Sequence, residues 1–115
     1  MLMCTHRAGV ELVDTHAWWC TFGEAMRSMP SAYTLGYHQV QCDPGVGSDA
    51  ARRSGLAPTS FDLGDLVYLT AVDPFVAAAK GAAASGYDPG PPVNQRDEFI
   101  SFEGSVGAFC RMLAP

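Results

Sequence analysis

Residues 18–29 place every large apolar side chain on one side of a helix. At the helical period of roughly 100° per residue, Trp18, Trp19, Phe22, Ala25, Met26 and Met29 fall within an arc of about 120°. His16, Cys20, Glu24 and Arg27 lie largely opposite, and Pro30 limits the helix at its end. A helix this one-sided belongs against the face of a sheet, and the flanking sequence supplies strand-like runs for one.

Residues 10–13 (VELV) are short and apolar, with a strand's pattern, and Asp14 or Thr15 can cap the helix that follows. Residues 33–42 (YTLGYHQVQC) read as a second strand, closed by the turn Asp43-Pro44-Gly45. Ser48 can cap a short helix over DAARRS, with Gly55 as its stop. The runs PTSFDL and LVYLTAV read as two strands, with Gly64-Asp65 as a hairpin between them. Asp73-Pro74 opens an alanine-rich helix, FVAAAKGAAASG. YDPGPPVNQRD reads as a loop, EFISFE as a strand and SVGAFCRML as a final helix. The expected fold is α/β, a mixed sheet flanked by helices in the order strand-helix-strand-helix-strand-strand-helix. Residues 9–85 form the core and 86–115 a C-terminal extension, within a single domain 1–115.

Composition narrows the function. At 115 residues, 48% hydrophobic and 17% charged, the chain has globular composition and can bury a modest core. Its net charge is −5 and Lys80 is the sole lysine, so there is no basic stripe for nucleic acid or for an anionic membrane surface. No apolar run reaches membrane-spanning length, and the N-terminus lacks the long apolar segment of a signal peptide. The expectation is a soluble, cytoplasmic protein with reduced thiols. None of the four cysteines, Cys4, Cys20, Cys42 and Cys110, sits in a C-x-x-C pair. His16 and Cys20, four apart on a helix, could reach one ion. His38 and Cys42, four apart on a strand, are about 13 Å from each other. No further spacing anchors a metal site, so no metal and no cofactor are expected. Phosphate-loop, dinucleotide and G-x-S-x-G motifs are absent.

The element order up to about Ser85 resembles the thioredoxin fold, and two local patterns fall in register with it. Val13-Asp14-x-x-Ala17-x-Trp19-Cys20 resembles the strand-to-helix segment in which an acid ends the central strand and a tryptophan precedes the nucleophilic cysteine. Asp43, followed by Gly55-Leu56-Ala57-Pro58-Thr59, resembles the segment leading to that family's cis-proline. The resemblance implies that Cys20 is the reactive thiol, that Asp14 relays its proton, and that Trp19, Ala57 and Pro58 meet a partner chain. It also implies a cis Ala57–Pro58 bond near Cys20. Against it, Gly23 stands where the resolving cysteine belongs. A dithiol cycle cannot run there, and a mixed disulfide would await another thiol, with Cys42 the internal candidate. The plain alternative makes Asp14 a helix cap, Pro58 a trans loop proline and Cys20 inert. Two functions follow: a single-thiol protein acting on a protein partner by mixed disulfide, or a non-catalytic small subunit that binds a larger assembly.

Overall fold

The computed structural model describes residues 1–29, 32–42, 44–57 and 61–110. They form four strands, β1 (Leu2–His6), β2 (Thr34–Gln41), β3 (Leu63–Leu69) and β4 (Ile100–Gly107). Helix α1 (Leu12–Ser28) joins β1 to β2, α2 (Pro44–Arg53) joins β2 to β3, and α3 (Val72–Ser85) and the short α4 (Arg96–Phe99) precede β4. The strands make one sheet in the order β2-β3-β1-β4, and every neighbouring pair is antiparallel. β1 and β2 therefore run the same way with β3 between them, a split βαβ arrangement.

The chain is mixed α/β, as the sequence suggests, but the sheet is antiparallel rather than mixed. Three elements account for the difference. Residues 10–13 are not a strand: Glu11 is the N-cap of α1, whose first residue is Leu12. The first strand is instead Leu2–His6, with Leu2 and Cys4 turned to the core. Gly64-Asp65 makes no hairpin, because Gly64 pairs with Met3 on one side and Val40 on the other, inside a continuous β3. A Cβ on Gly64 would sit 2.8 Å from the Met3 sulfur, so glycine here serves a close approach between side chain and backbone. Finally, 105–107 extend β4, and 108–110 are not helical.

α2 begins at Pro44, so Ser48 lies inside it rather than capping it and 44–45 are helical rather than a turn; Arg96–Phe99 is helical, so the last strand starts at Ile100 rather than Glu98. Two readings hold. α2 stops at Gly55, in the left-handed conformation at φ +71°, with the Leu56 N–H reaching back to Ala51 O at 2.8 Å. The alanine run is helical and carries Asp73 in its first turn.

The core lies between α1 and one face of the sheet. Trp18, Trp19 and Phe22 of α1 pack with Cys4, Tyr37, Leu63 and Ile100. Trp18 stacks on Phe99 at 5.0 Å and donates from Nε1 to Pro92 O, which ties the 92–99 segment to the helix. α1 packs on β2, whereas neither α2 nor α3 makes comparable contact with another element. No residue of α3 is buried.

Buried on the same face as this core, Asp65 is 7% exposed and accepts a hydrogen bond from the Tyr37 hydroxyl at 3.3 Å. Burial pushes its carboxyl above the usual carboxylate range, and the Tyr37 bond only partly opposes this. A raised value means that the folded state holds the proton more tightly than the unfolded chain. This carboxyl therefore lowers stability as pH rises from about 4 through its own folded value. Asp65→Asn should melt above the wild type at pH 7, with the difference shrinking toward pH 4. A wild type more stable than the variant at pH 7 would contradict that sign.

Candidate functional site

Cys20 is the ninth residue of the 17-residue α1, exposed, with its sulfur 3.7 Å from Gln41 Nε2. The field of a helix N-terminus fades within the first turn, and Cys20 lies beyond that turn. Asp14 lies in that first turn. Six residues along a helix put it about 9 Å down the axis from Cys20 and about 120° around it, not beneath the sulfur. Trp19 is 1% exposed and Trp18 6%, so both tryptophans are core, and the expected contact of Trp19 with a partner does not fit that burial. Ala57 is exposed, and Pro58, with the expected cis bond, lies outside the described residues. Cys42 is half-buried and follows Gln41, whose amide meets Cys20. Thiol labelling should follow burial: Cys20 and Cys110 first, Cys42 later, and Cys4, fully buried with its thiol pushed up by that burial, last. Iodoacetamide labelling read by mass spectrometry checks this order, and early modification of Cys4 would contradict the packing.

Gly23 has a structural explanation. A Cβ there would come 1.9 Å from Gln39 Oε1, while Gln39 Nε2 donates to Trp19 O at 2.7 Å. All three atoms that a Cβ would meet belong to the end of the Gln39 side chain, so a side chain here fits only by expelling the Gln39 amide from its hydrogen bond. A thiol at position 23 is excluded by packing as long as Gln39 keeps this bond. Gly23→Ala is expected to cost about 1–2 kcal/mol, because overpacking outweighs the better helix propensity of alanine. In a Gln39→Ala background the same change should be neutral or stabilising. Equal costs in both backgrounds, measured by urea unfolding, would refute the clash.

A pairing that the sequence reading did not single out joins His6 and Asp62. Asp62 is 6% exposed. Its Oδ2 accepts the His6 backbone N–H at 2.9 Å and lies 2.6 Å from His6 Nδ1. An ionised carboxylate only accepts, so the ring carries its proton on Nδ1 in that pairing, and Nε2 is its remaining nitrogen. Beside α1, Val10, Asp14, Trp18, Gln95 and Phe99 line a shallow groove of about 550 Å³ with an apolar wall. Among the described residues no group of three His, Cys, Asp or Glu side chains is placed to hold a metal ion, and no helix is long and apolar enough to cross a membrane.

Among the described residues, the other face of the sheet carries no packed helix. Strand residues alternate between faces, so the residues next along the chain from the inward Leu2, Cys4, Tyr37, Leu63 and Val67 point away from α1. The register puts Met3 beside Gly64 and Val106, Gly64 beside Val40, and Leu66 beside His38. Tyr68 lies edge-on to His38 at 5.4 Å. Val40 is 42% exposed and Val106 57%. None of these residues is acidic, lysine or arginine, although the chain carries a net charge of −5.

Comparison with protein-family models, with curated proteins and with solved structures finds no match for this chain.

Proposed function

We propose that the protein is a non-catalytic binding subunit whose working surface is the uncovered face of its sheet. The observation that supports the reading is this: Met3, Val40, Leu66, Tyr68 and Val106, with His38 among them and Thr5 and Ser101 beside them, form a largely apolar surface without carboxylate, lysine or arginine that no helix covers extensively. Exposed apolar surface of this kind marks interaction sites in folded proteins. The partner is a protein, since the acidic chain offers no basic stripe to nucleic acid or to an anionic membrane. Hydroxyl-radical footprinting in native cell extract tests it, with Tyr87 (67% exposed, outside the face) as the internal control. Met3 and Tyr68 should be oxidised less in the native extract than in the purified chain diluted to nanomolar concentration. Equal oxidation in both would refute the reading.

A second reading keeps the thioredoxin-like resemblance and has Cys20 exchange with protein thiols through a mixed disulfide. What favours it is the exposure of Cys20. In that case an adduct forms at Cys20 and persists, because position 23 carries no thiol to release it. Cys20→Ser abolishes the adduct, and Cys42→Ser lengthens its life if Cys42 resolves it.

A further inference from the structure

We infer that the occupant of the uncovered sheet face is a second copy of this chain, packed face to face about a two-fold axis. The inference rests on the reading of that face as a binding surface. Three observations carry it. The first is extent. The chain exposes 7954 Å², whereas a folded monomer of 12.2 kDa exposes about 6,100 Å². Its radius of gyration is 15.5 Å, against about 13.4 Å for a compact domain of this length. The excess area is about 1,900 Å²; the unburied α3 contributes to it along with the sheet face, and the total is more than the ~800 Å² per chain that a standard interface removes.

The second is charge. Two chains of net charge −5 repel each other except where the surfaces that meet are uncharged. The sheet face supplies such a surface. A strongly basic partner would gain nothing from a face without carboxylates, whereas an identical acidic chain needs one.

The third is shape. An isologous pair uses the same patch twice, so the patch must be able to pack on itself. Gly36 and Gly64 keep the face low, and the ring of Tyr68 and the thioether of Met3 lie over them. Valine, leucine and methionine side chains can then interdigitate across the roughly 10 Å that separates packed sheets.

Light scattering after gel filtration, together with sedimentation velocity, tests the inference on the purified full chain. The wild type should run as a dimer of about 24 kDa, twice the chain mass. Dimerisation should strengthen as salt rises, because salt screens the repulsion between two acidic chains. Val40→Glu sets like charges facing each other across the interface and should raise the dissociation constant about 100-fold or more. Val13→Glu adds the same charge at a 72% exposed site on α1 and should leave the dimer intact. Val106→Glu, on the β4 edge of the face, repeats the test should Val40→Glu fail to fold by circular dichroism. A wild type that stays monomeric at high concentration overturns the second-copy inference but leaves the face open to a different protein. A dimer indifferent to Val40→Glu and Val106→Glu overturns both the inference and the reading of the face.

Discussion

Trp19→Ala is expected to cost about 3–5 kcal/mol, enough to unfold a large share of a domain with so few buried side chains. Trp19 is 1% exposed, stacks on Phe22 at 5.4 Å and lies 5.8 Å from Trp18. Only seven hydrophobic residues are buried among those described, and this is the largest of the fully buried ones. Truncation leaves a cavity that Trp18 and Phe22 cannot both move to fill, because Trp18 is held by its bond to Pro92 and its stack on Phe99. The indole Nε1 of Trp19 is buried with no hydrogen-bond partner. Trp19→Phe removes that unsatisfied donor as well as volume, so its cost should be much smaller. Urea unfolding followed by circular dichroism measures both. Similar costs for the two variants would show that the ring's polar edge, not its bulk, is what the core depends on.

Asp62→Ala is expected to lose about 2–3 kcal/mol. The side chain satisfies two nitrogens of His6, and the backbone on either side is equally committed. Its N–H donates to Cys4 O at 2.9 Å, and its carbonyl accepts from Cys42 N at 2.8 Å. The residue thus fastens the start of β3 to both β1 and β2. Alanine leaves the His6 backbone N–H without its acceptor. Asn keeps one acceptor oxygen and should recover part of the loss. A change under about 0.5 kcal/mol in Asp62→Ala would mean that water replaces the carboxylate at no cost.

Parts of this structure are written in local chemistry. The arc of Trp18, Trp19 and Phe22 identifies the buried stripe of α1, because helical periodicity is a property of neighbouring residues. Met29, counted in the same arc, is 40% exposed, since the helix ends at Ser28 and Met29 is its extended C-cap. Gly55 and the alanine run set the end of α2 and the presence of α3 for equally local reasons. The strand at Leu2–His6 was not legible. Its pattern is five residues long, and its burial comes from β3 and β4, which lie some 60 and 100 residues away. Gly64-Asp65 reads as a turn only when the strands on either side of it are unknown.

The thiol site shows the same division. A cysteine after a tryptophan has one meaning at the start of a helix and another in its middle. The difference is where the helix begins, and reading residues 10–13 as a strand places that start too late: α1 begins at Leu12. Asp62 and Asp65 could have been noticed as acids inside an apolar run. That one meets His6 and the other Tyr37 follows only from strand register.

The sequence by itself determined the α/β class, the apolar face of α1, the ends of two helices and the acidic character that disfavours nucleic acid. Each of these depends on residues close together in the chain or on totals over it. The tertiary structure alone decided the antiparallel order β2-β3-β1-β4, the absence of room for a side chain at Gly23, the His6–Asp62 pair and the face of the sheet left uncovered. Those depend on which distant strands become neighbours, and pairing across tens of residues is set by the burial of whole surfaces rather than by any local pattern.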